Sequence, residues 1–327
     1  SVPKALLNQQ ILRNLGDRSY DKRKQAAFDI EQIVRQASQQ SQGSQHITSI
    51  INVLVNDYTY STMPNHRKGG LIGLSAIAIA LVNQSHAYLE VLLPPVLKCF
   101  IDTEARVRYY ACEALYNITK VARGRVLLYF NEVFDGLCKL FADADVDVKS
   151  GAQLLDRLVK DVVTESPDFS LERFIPLLRE RIRIRNPFVR QLIVSWVTLL
   201  DAVPDIDLLE FLPEFLGGLF AMLADPNKDI RQQAYAALSG LLKRLSQAAA
   251  VDLAAMAPIL VEHGSSADSF TRLTVLTWLA EFARMGPLQL LPLLPALLRA
   301  VLPCLSDGER EIRATATKAH DLLLRAA

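Results

Sequence analysis

The sequence predicts an all-α solenoid, a stack of paired helices, and three periodic features predict it. Basic residues recur at intervals of 41 positions; they are Arg67, Arg108, Lys149, Arg190, Arg231, Arg272 and Arg313. The tenth residue after each is apolar, and an Asp stands six residues before four of them, at Asp102, Asp143, Asp225 and Asp307. A repeat of about 40–47 residues built from paired helices is typical of HEAT and armadillo proteins. We therefore predict a HEAT-repeat α-solenoid of about eight helix pairs.

Each periodic feature has a physical role in such a repeat. The Asp can accept hydrogen bonds from the free amides that begin a helix. A small residue three positions after the basic residue, found in five of the seven repeats, lets neighbouring helices approach closely. The apolar stripe of one helix pair needs a neighbour to cover it, so stacked pairs bury a continuous core. We therefore expect one continuous solenoid with no boundary between its halves.

The expected repeats fill the chain from 1 to 327. They lie near residues 4–37, 46–83, 88–122, 125–165, 171–203, 207–247, 252–286 and 288–326. The first repeat is off the periodic positions by about two residues, with Lys24 as its nearest basic residue. The polar run Ser38 to Gln45 is the expected flexible connection. Prolines spaced by 82 residues are expected to kink the first helices, which favours HEAT over armadillo repeats; they are Pro94, Pro176, Pro258, Pro213 and Pro295.

Composition excludes several classes of protein. The 36 Lys and Arg nearly balance the 35 Asp and Glu, so no overall charge favours nucleic acid. The four cysteines are far apart, which is typical of reduced thiols in a cytosolic protein. The apolar stretches Leu71–Val82 and Leu288–Leu305 are respectively too short and too interrupted to span a membrane. We expect a piece of a longer protein with no secretory leader.

No catalytic motif stands out in the sequence. It has no P-loop, HExxH, GxSxG or GxGxxG motif, and its five histidines are spread over five repeats. Three acids on one predicted helix, Asp156, Asp161 and Glu165, are interpreted as its solvated face. We therefore predict a protein that is not an enzyme, with no catalytic residue, no metal and no cofactor.

The periodic charges allow two interpretations. They form a ladder that fixes the register of the repeats, or they line a groove for an anionic partner, and the matching acids favour the ladder. Its predicted members are Asp102, Arg108, Asp143, Arg190, Asp225, Arg231, Asp307 and Arg313. A cluster of arginines at one helix end suits either the helix dipole or an anionic membrane surface. These candidate membrane contacts are Arg179, Arg181, Arg183 and Arg185.

Four segments carry a resemblance to a known family. They are RKGGLIGL at 67–74, RYYACEALYNITKVARG at 108–124, FDGLCKLFADADVDVKSGAQLLDRLVKDVVTES at 134–166 and FIPLLRERI at 174–182. They closely resemble the amino-terminal HEAT region of the ArPIKfyve (Vac) family, the vacuole-morphology scaffolds of the PIKfyve lipid-kinase complex. The resemblance departs at Arg183 and Arg185, which are not part of the family pattern, and at Ser246 to Ala257, which is simpler than the family's equivalent.

The resemblance implies a non-catalytic scaffold. Such a protein docks the phosphatidylinositol 3-phosphate 5-kinase PIKfyve and supports regulated synthesis and turnover of phosphatidylinositol 3,5-bisphosphate. It also implies a Sac-type phosphoinositide phosphatase as a second partner, through a carboxy-terminal region absent from this chain. The implied location is cytosolic, with peripheral association through partners to endosomal, lysosomal or vacuolar membranes.

Within the resembling region, polar and aromatic residues off the predicted core stripe are the candidate kinase contacts. They are Arg67, Lys68, Tyr109, Tyr110, Glu113, Asn117, Lys149, Asp156, Arg157 and Lys160. We expect Leu154, Leu155 and Leu158 to pack the helices together. The alternative is a generic HEAT adaptor, importin-like or coat-like, that binds a peptide in its concave groove. Against an importin, no Trp–Asn pair recurs, since Trp196 and Trp278 are the only tryptophans.

Overall fold

The computed structural model describes residues 6–327, and every regular element within them is a helix. This confirms the predicted all-α class. The chain divides into two compact units, of which the first ends at Ser170 and the second is Leu171–Ala327. Each unit consists of successive helix pairs, in which a first helix is followed by a longer second helix.

The first unit contains four helix pairs. Its helices are α1 (Gln9–Leu15), α2 (Tyr20–Ala37), α3 (Gly43–Val53), α4 (Pro64–Leu81), α5 (Leu89–Lys98), α6 (Ala105–Ala122), α7 (Phe130–Phe141) and α8 (Val146–Glu165). A π-helical segment, Leu54–Thr59, continues α3, and 3-10 turns at Val82–Tyr88 and Arg123–Tyr129 follow α4 and α6. The second helices α2, α4, α6 and α8 pack side by side in chain order.

The second unit continues the same alternation. Its helices are α9 (Leu171–Arg181), α10 (Pro187–Ala202), α11 (Leu212–Ala221), α12 (Lys228–Gln247), α13 (Leu253–Gly264), α14 (Ser269–Met285), α15 (Pro287–Leu290), α16 (Leu294–Val301) and α17 (Arg310–Ala326). The second helices are α10, α12, α14 and α17, and each packs against the next. Trp196 and Trp278 are fully buried in this core, as expected.

Polar side chains begin several second helices. The carboxylate of Asp145 accepts from the amide of Val148 at the start of α8, and Asp268 accepts from Thr271 at the start of α14. Asn186 and Asn227 cap α10 and α12 in the same way. These caps satisfy amides that have no partner within the helix, which fixes where each second helix starts.

Three details differ from the sequence-based expectations. The first repeat was expected from Lys4, which lies outside the described residues, and α1 begins at Gln9, where the side chain of Asn8 caps it. The run Ser38 to Gln45 is a compact turn closed by backbone hydrogen bonds, and α3 already begins within it at Gly43. Pro94, Pro176 and Pro258 lie inside helices, whereas Pro213 and Pro295 stand in the first turn of α11 and α16. An amide in the first turn of a helix has no partner within that helix, so a proline there removes no hydrogen bond. Pro213 and Pro295 therefore do not kink α11 and α16.

Two stretches, Pro64–Ile101 and Pro287–Ser306, are long and apolar enough to cross a membrane by length and composition alone. The first comprises α4, α5 and the 3-10 turns that follow each of them, and half of its most apolar window is buried inside the protein. The second is divided by 3-10 turns at Leu291–Leu293 and Leu302–Ser306.

The glycines at the start of α4 let three segments approach closely. A Cβ on Gly69 would lie 1.9 Å from the carbonyl oxygen of Leu15, at the end of α1. A Cβ on Gly70 would lie 2.6 Å from the amide nitrogen of Thr59, in the π-helical segment. The contact atoms are backbone atoms that cannot rotate away, so only glycine fits at these two positions. Close packing therefore offsets the low helix propensity of glycine.

Candidate partner-binding surface

Within each unit, an arginine near the start of one second helix pairs with an aspartate in the turn that precedes the next second helix. Arg67 donates from Nε and Nη2 to both carboxylate oxygens of Asp102, at 2.7 and 2.9 Å. Arg108 binds Asp143 in the same bidentate way, at 2.6 and 3.0 Å. In the second unit Arg190 pairs with Asp225, and Arg272 with Asp307. Each pair spans 35 residues, so each joins one repeat to the next.

Each of these aspartates also organises its own turn. Oδ1 of Asp102 accepts from the amide of Glu104, and its backbone carbonyl accepts from Nη1 of Arg108 at 2.7 Å. Asp143, Asp225 and Asp307 likewise accept the amide two residues ahead. Arg231 and Arg313 donate to the carbonyls of their own turns, those of Asp225 and Asp307. At Asp102, Asp225 and Asp307 the aspartate therefore connects two arginines that belong to adjacent repeats.

Hydrogen bonding sets the protonation of these pairs. Burial alone would raise the pKa of Asp143, but hydrogen bonds from Arg108 and from the amide of Asp145 hold that pKa below its usual range. The hydrogen bond to Asp143 in turn raises the pKa of Arg108. In the second unit the amide of Glu309, followed by Arg272, lowers the pKa of Asp307. Both carboxylates are therefore ionised well below neutral pH.

The first repeat has a basic residue at the periodic position, and it is Arg23, not Lys24. Nη1 of Arg23 donates to the carbonyls of Asp17 and Arg18, six and five residues back, as Arg67 does to Ser61 and Thr62. The step from Arg23 to Arg67 is 44 residues, three longer than the others. These extra residues explain why the sequence pattern missed Arg23.

A groove runs across the second helices of the first unit. One cavity, of about 260 Å³, lies over α2, α4 and α6, and another, of about 520 Å³, lies over α6 and α8. Both are lined by Tyr20, Glu113 and Asn117, so they are continuous. We call this surface the second-helix groove and define it by Tyr20, Phe28, Ile72, Glu113, Asn117 and Leu154.

Large apolar side chains lie in solvent along the second-helix groove. Phe28 and Leu154 are 54% and 55% exposed, and Tyr20 is also exposed. Phe28, Ile72, Glu113 and Leu154 occupy the same position in four successive repeats, five residues after the periodic basic residue. A row of exposed apolar groups in an open groove is typical of a protein-binding surface. The fifth position was therefore a usable sequence signal for Leu154, which follows Lys149, but not for Phe28, because Arg23 lies off the 41-residue period.

The structure divides eight of the ten predicted kinase contacts into three groups. Glu113 and Asn117 lie in the groove, Tyr109 lines it, and Arg157 is exposed elsewhere on α8. Arg67 and Lys160 are engaged in ion pairs, with Asp102 and Asp156. Lys68 and Lys149 are half-buried.

Tyr110 and Asp156 were expected on an exposed face, but each is only 6% exposed. Asp156 binds Lys160 at 2.7 Å, so it does not belong to a solvated acidic face as its sequence neighbours suggested. Leu155 and Leu158 are buried as expected, whereas Leu154 points into the groove instead of the core. The buried face of α8 therefore includes Asp156 and excludes Leu154, so it is rotated slightly from the predicted apolar face.

The arginine cluster lies at the end of α9, in the second unit. Arg179 is on the last turn, Arg183 and Arg185 follow the helix, and all three are exposed. Arg181 is half-buried and pairs with Glu180 at 2.7 Å. Positive side chains at the carboxy end of a helix also interact favourably with its dipole.

No group of three or more His, Cys, Asp or Glu side chains in residues 6–327 is arranged to hold a metal ion. The four cysteines are buried, and burial raises the pKa of the Cys99 and Cys112 thiols to about 12. Both thiols are therefore protonated at neutral pH.

Comparison with known proteins identifies a matching family. Residues 65–161 match the family described as "Vacuolar 14 Fab1-binding region". The chain is 51% identical to "Protein VAC14 homolog" of Arabidopsis thaliana over 95% of its own length and 42% of that protein. It is 40% identical to "Vacuole morphology and inheritance protein 14" of Saccharomyces cerevisiae over 74% of its own length and 32% of that protein. The chain thus spans less than half of these relatives.

Among solved structures, the chain is similar to a designed armadillo repeat protein, YIII(Dq)4CqI. The two are 17% identical, and the similarity covers 71% of this chain and 99% of the designed protein, with a TM-score of 0.35.

Proposed function

Because the chain belongs to the VAC14 family over the stretch it shares with these relatives, we propose that it is a non-catalytic scaffold for the Fab1/PIKfyve lipid kinase. The observation that supports this most directly is the position of the matched Fab1-binding region. Residues 65–161 cover nearly all of α4 to α8 and hence three of the four second helices that form the groove.

The kinase-binding surface in this proposal is the second-helix groove. Its exposed apolar groups, Phe28 and Leu154, lie close to polar groups, Glu113 and Asn117, that can fix the orientation of a bound segment. Interfaces of this kind combine a few buried apolar anchors with a polar rim. The predicted contacts Tyr109, Glu113 and Asn117 belong to this surface, whereas Arg67 acts mainly through its pair with Asp102.

A matched pair of leucines tests the surface. Leu154 is 55% exposed in the groove, and Leu324 is 50% exposed on α17 of the second unit. Leu154→Ser is expected to weaken capture of the purified kinase about 10-fold, because burying a leucine contributes about 1.5–3 kcal/mol. Leu324→Ser should leave capture unchanged, and both variants should melt like the wild type. Equal effects of the two substitutions would show that the groove is not the kinase site, and no capture by the wild type would refute the scaffold itself.

The proposed role extends to phosphatidylinositol 3,5-bisphosphate on endosomal, lysosomal or vacuolar membranes. A docked kinase would make this lipid from phosphatidylinositol 3-phosphate, and a Sac-type phosphatase would join through a part of the protein outside this chain. The test is kinase activity on vesicles that contain phosphatidylinositol 3-phosphate. Adding the wild-type chain should raise product formation, and adding Leu154→Ser should raise it less.

The arginines at the end of α9 are a proposed contact with the same membranes. Arg179, Arg183 and Arg185 are exposed on one short stretch, where anionic lipids would attract them by about 1 kcal/mol each. Replacing all three with Gln should reduce co-sedimentation with anionic vesicles and leave the weak binding to neutral vesicles unchanged. Equal binding by wild type and variant would exclude this contact.

A further inference from the structure

Two arginines from the first and third repeats of the first unit lie against one tyrosine, and a lysine from the second repeat lies near both arginines. Arg23 on α2 donates from Nη2 to the hydroxyl oxygen of Tyr110 at 3.0 Å. Arg106 on α6 has its guanidinium carbon 5.7 Å from the centre of the same ring. Lys68, at the start of α4, lies close enough to both arginines for their charges to act on its ammonium group.

Arg23 is buried without an acidic partner. Its side chain is only 3% exposed, and its donors go to two backbone carbonyls and the hydroxyl of Tyr110. Its Nε has no hydrogen-bond partner within residues 6–327. The other periodic arginines of the first unit, Arg67 and Arg108, each hold an aspartate 35 residues ahead. Tyr58 occupies that position for Arg23, so this arginine lacks the carboxylate that balances the others.

Lys68 and Arg106 are also poorly compensated. The ammonium group of Lys68 makes no hydrogen bond or ion pair with any residue from 6 to 327, and the acid whose charge acts on it is Glu104. Burial lowers the pKa of Lys68, and the charges of Arg23 and Arg106 lower it further. Arg106 has one ion pair, with Asp147 at 3.4 Å, and both of those side chains are largely exposed. Exposed pairs of this length contribute little.

Like charges held together without a counterion destabilise a fold, and an oxyanion relieves that cost by accepting charge-assisted hydrogen bonds. We propose that Arg23, Lys68 and Arg106 form an oxyanion site that takes an acidic side chain of the segment docked in the second-helix groove. Tyr110 connects the two features, since it bonds Arg23 and lines the groove. This inference rests on the proposed docking function.

The occupant is a protein carboxylate, not a membrane. A bilayer surface attracts basic side chains that project into solvent, whereas Arg23 is buried and Lys68 is half-buried. A chain lying in the groove passes Tyr110, whose hydroxyl accepts from Arg23, so an acidic side chain directed to this point would meet the cationic group. The charges complement each other, because the three cations outnumber the acids shown to act on them, which are Glu104 for Lys68 and the exposed Asp147 for Arg106.

The first experiment tests the oxyanion site without the kinase. Inorganic phosphate is added to the chain, and its melting temperature is compared with that of the double variant Lys68→Met/Arg106→Met. Without phosphate the double variant should melt slightly higher, because like-charge repulsion is removed. With about 10 mM phosphate the wild type should gain about 2 °C more than the variant, since phosphate binds only the folded site.

The control for this experiment is Lys318→Met, which removes an exposed lysine on α17 in the second unit. Phosphate also stabilises proteins generally by exclusion from their surfaces, and the control reports that general effect. The control should respond to phosphate like the wild type. An equal response of the double variant and the wild type would refute the oxyanion site.

The second experiment tests the occupant. Lys68→Met should weaken kinase capture about 10-fold at low salt, and most of the loss should disappear at about 0.5 M NaCl, where charges are screened. If Lys68→Met lost binding to anionic vesicles but captured the kinase as well as the wild type does, the occupant would be a lipid. The proposed carboxylate occupant would then be wrong. If the wild type captures no kinase at all, the docking function and its acidic occupant are both wrong, and the phosphate series alone then decides whether the oxyanion site exists.

Discussion

The two units share one framework but differ on the surface of their second helices. Both connect repeats through an arginine and an aspartate 35 residues apart, as in Arg108–Asp143 and Arg190–Asp225. The fifth residue after the basic position differs between them. In the first unit it is Phe28, Ile72, Glu113 and Leu154, and in the second it is Ser195, Ala236, Thr277 and Lys318.

This difference separates residues that maintain the fold from residues that are available for binding. The framework positions are buried or paired in both units, so they must satisfy the same packing and hydrogen bonding. The fifth position contacts solvent, and only in the first unit does it carry large apolar side chains. An exposed apolar side chain adds little to the stability of a fold, so the apolar residues at the fifth position of the first unit are the surface that we propose for binding.

The largest expected effect separates two adjacent leucines of α8. Leu155 is fully buried, and Leu155→Arg would bury an unpaired charge, which costs about 4 kcal/mol or more of the free energy of unfolding. Leu154→Arg places the same charge in the groove and should change that free energy by less than about 0.5 kcal/mol. Urea denaturation of both variants measures this. Leu155→Arg should therefore lose kinase capture through unfolding, and Leu154→Arg should lose it while folded. A stable Leu155→Arg protein would contradict the packing described for α8.

A pair of glycines compares packing in the two units. Gly69→Ala would bring a Cβ within 1.9 Å of the carbonyl oxygen of Leu15, so α4 must shift, at a cost of about 2–3 kcal/mol. Gly240→Ala on α12 meets only Asp201 Oδ2, at 3.8 Å, and should stabilise its helix by about 0.5–1 kcal/mol. Melting temperatures should therefore move in opposite directions. A Gly69→Ala protein as stable as the wild type would show that α4 does not need its close approach to α1.

The aspartate pairs make stability depend on pH, in a known direction. The folded-state pKa of Asp143 is lower than its unfolded value, so its contribution is present above an unfolded pKa of about 3.9. That contribution is lost as the pH falls through the lower folded pKa. Asp143→Asn should cost about 2 kcal/mol at pH 7, because it leaves Arg108 without its carboxylate.

The measurement is urea denaturation from pH 7 down to pH 2. The difference between wild type and Asp143→Asn should shrink as the pH falls through the folded pKa. Asp21→Asn, at an exposed position on α2, provides the control and should have little effect at any pH. A constant difference across this range would mean that the charge of Asp143 does not stabilise the fold.

The smallest expected effect comes from two strained residues in the first unit. Val82 and Arg123 follow α4 and α6 with φ of 50° and 49°, a backbone region that favours glycine. Val82→Gly and Arg123→Gly should each raise the free energy of unfolding by about 1 kcal/mol. Val203 follows α10 in the second unit with φ of −83°, so Val203→Gly should lower it by about 0.5–1 kcal/mol. Thermal melting measures whether each substitution stabilises or destabilises the protein. If all three destabilised it, Val82 and Arg123 would not be strained.

Much of the framework could be predicted because it depends on local spacing. The predicted repeat bounds place the end of each second helix within two residues of its observed end, since helix caps and apolar stripes are local features. Arg23 could not be located because three extra residues between the first two repeats shift it off the period. Tyr110 and Asp156 were misplaced because second helices are covered on two sides, so burial extends beyond a single apolar stripe. Leu154 shows the converse, since a leucine in an apolar run need not face the core.

The double role of the aspartate also limits where this chain can change length. Asp102 holds Arg67, 35 residues before it, and its carbonyl holds Arg108, six residues after it. An inserted or deleted residue between these partners would break one of the two bonds. The 44-residue step from Arg23 to Arg67 occurs where no aspartate joins the two arginines. Evolution can therefore add whole 41-residue blocks to such a protein far more easily than it can add single amino acids.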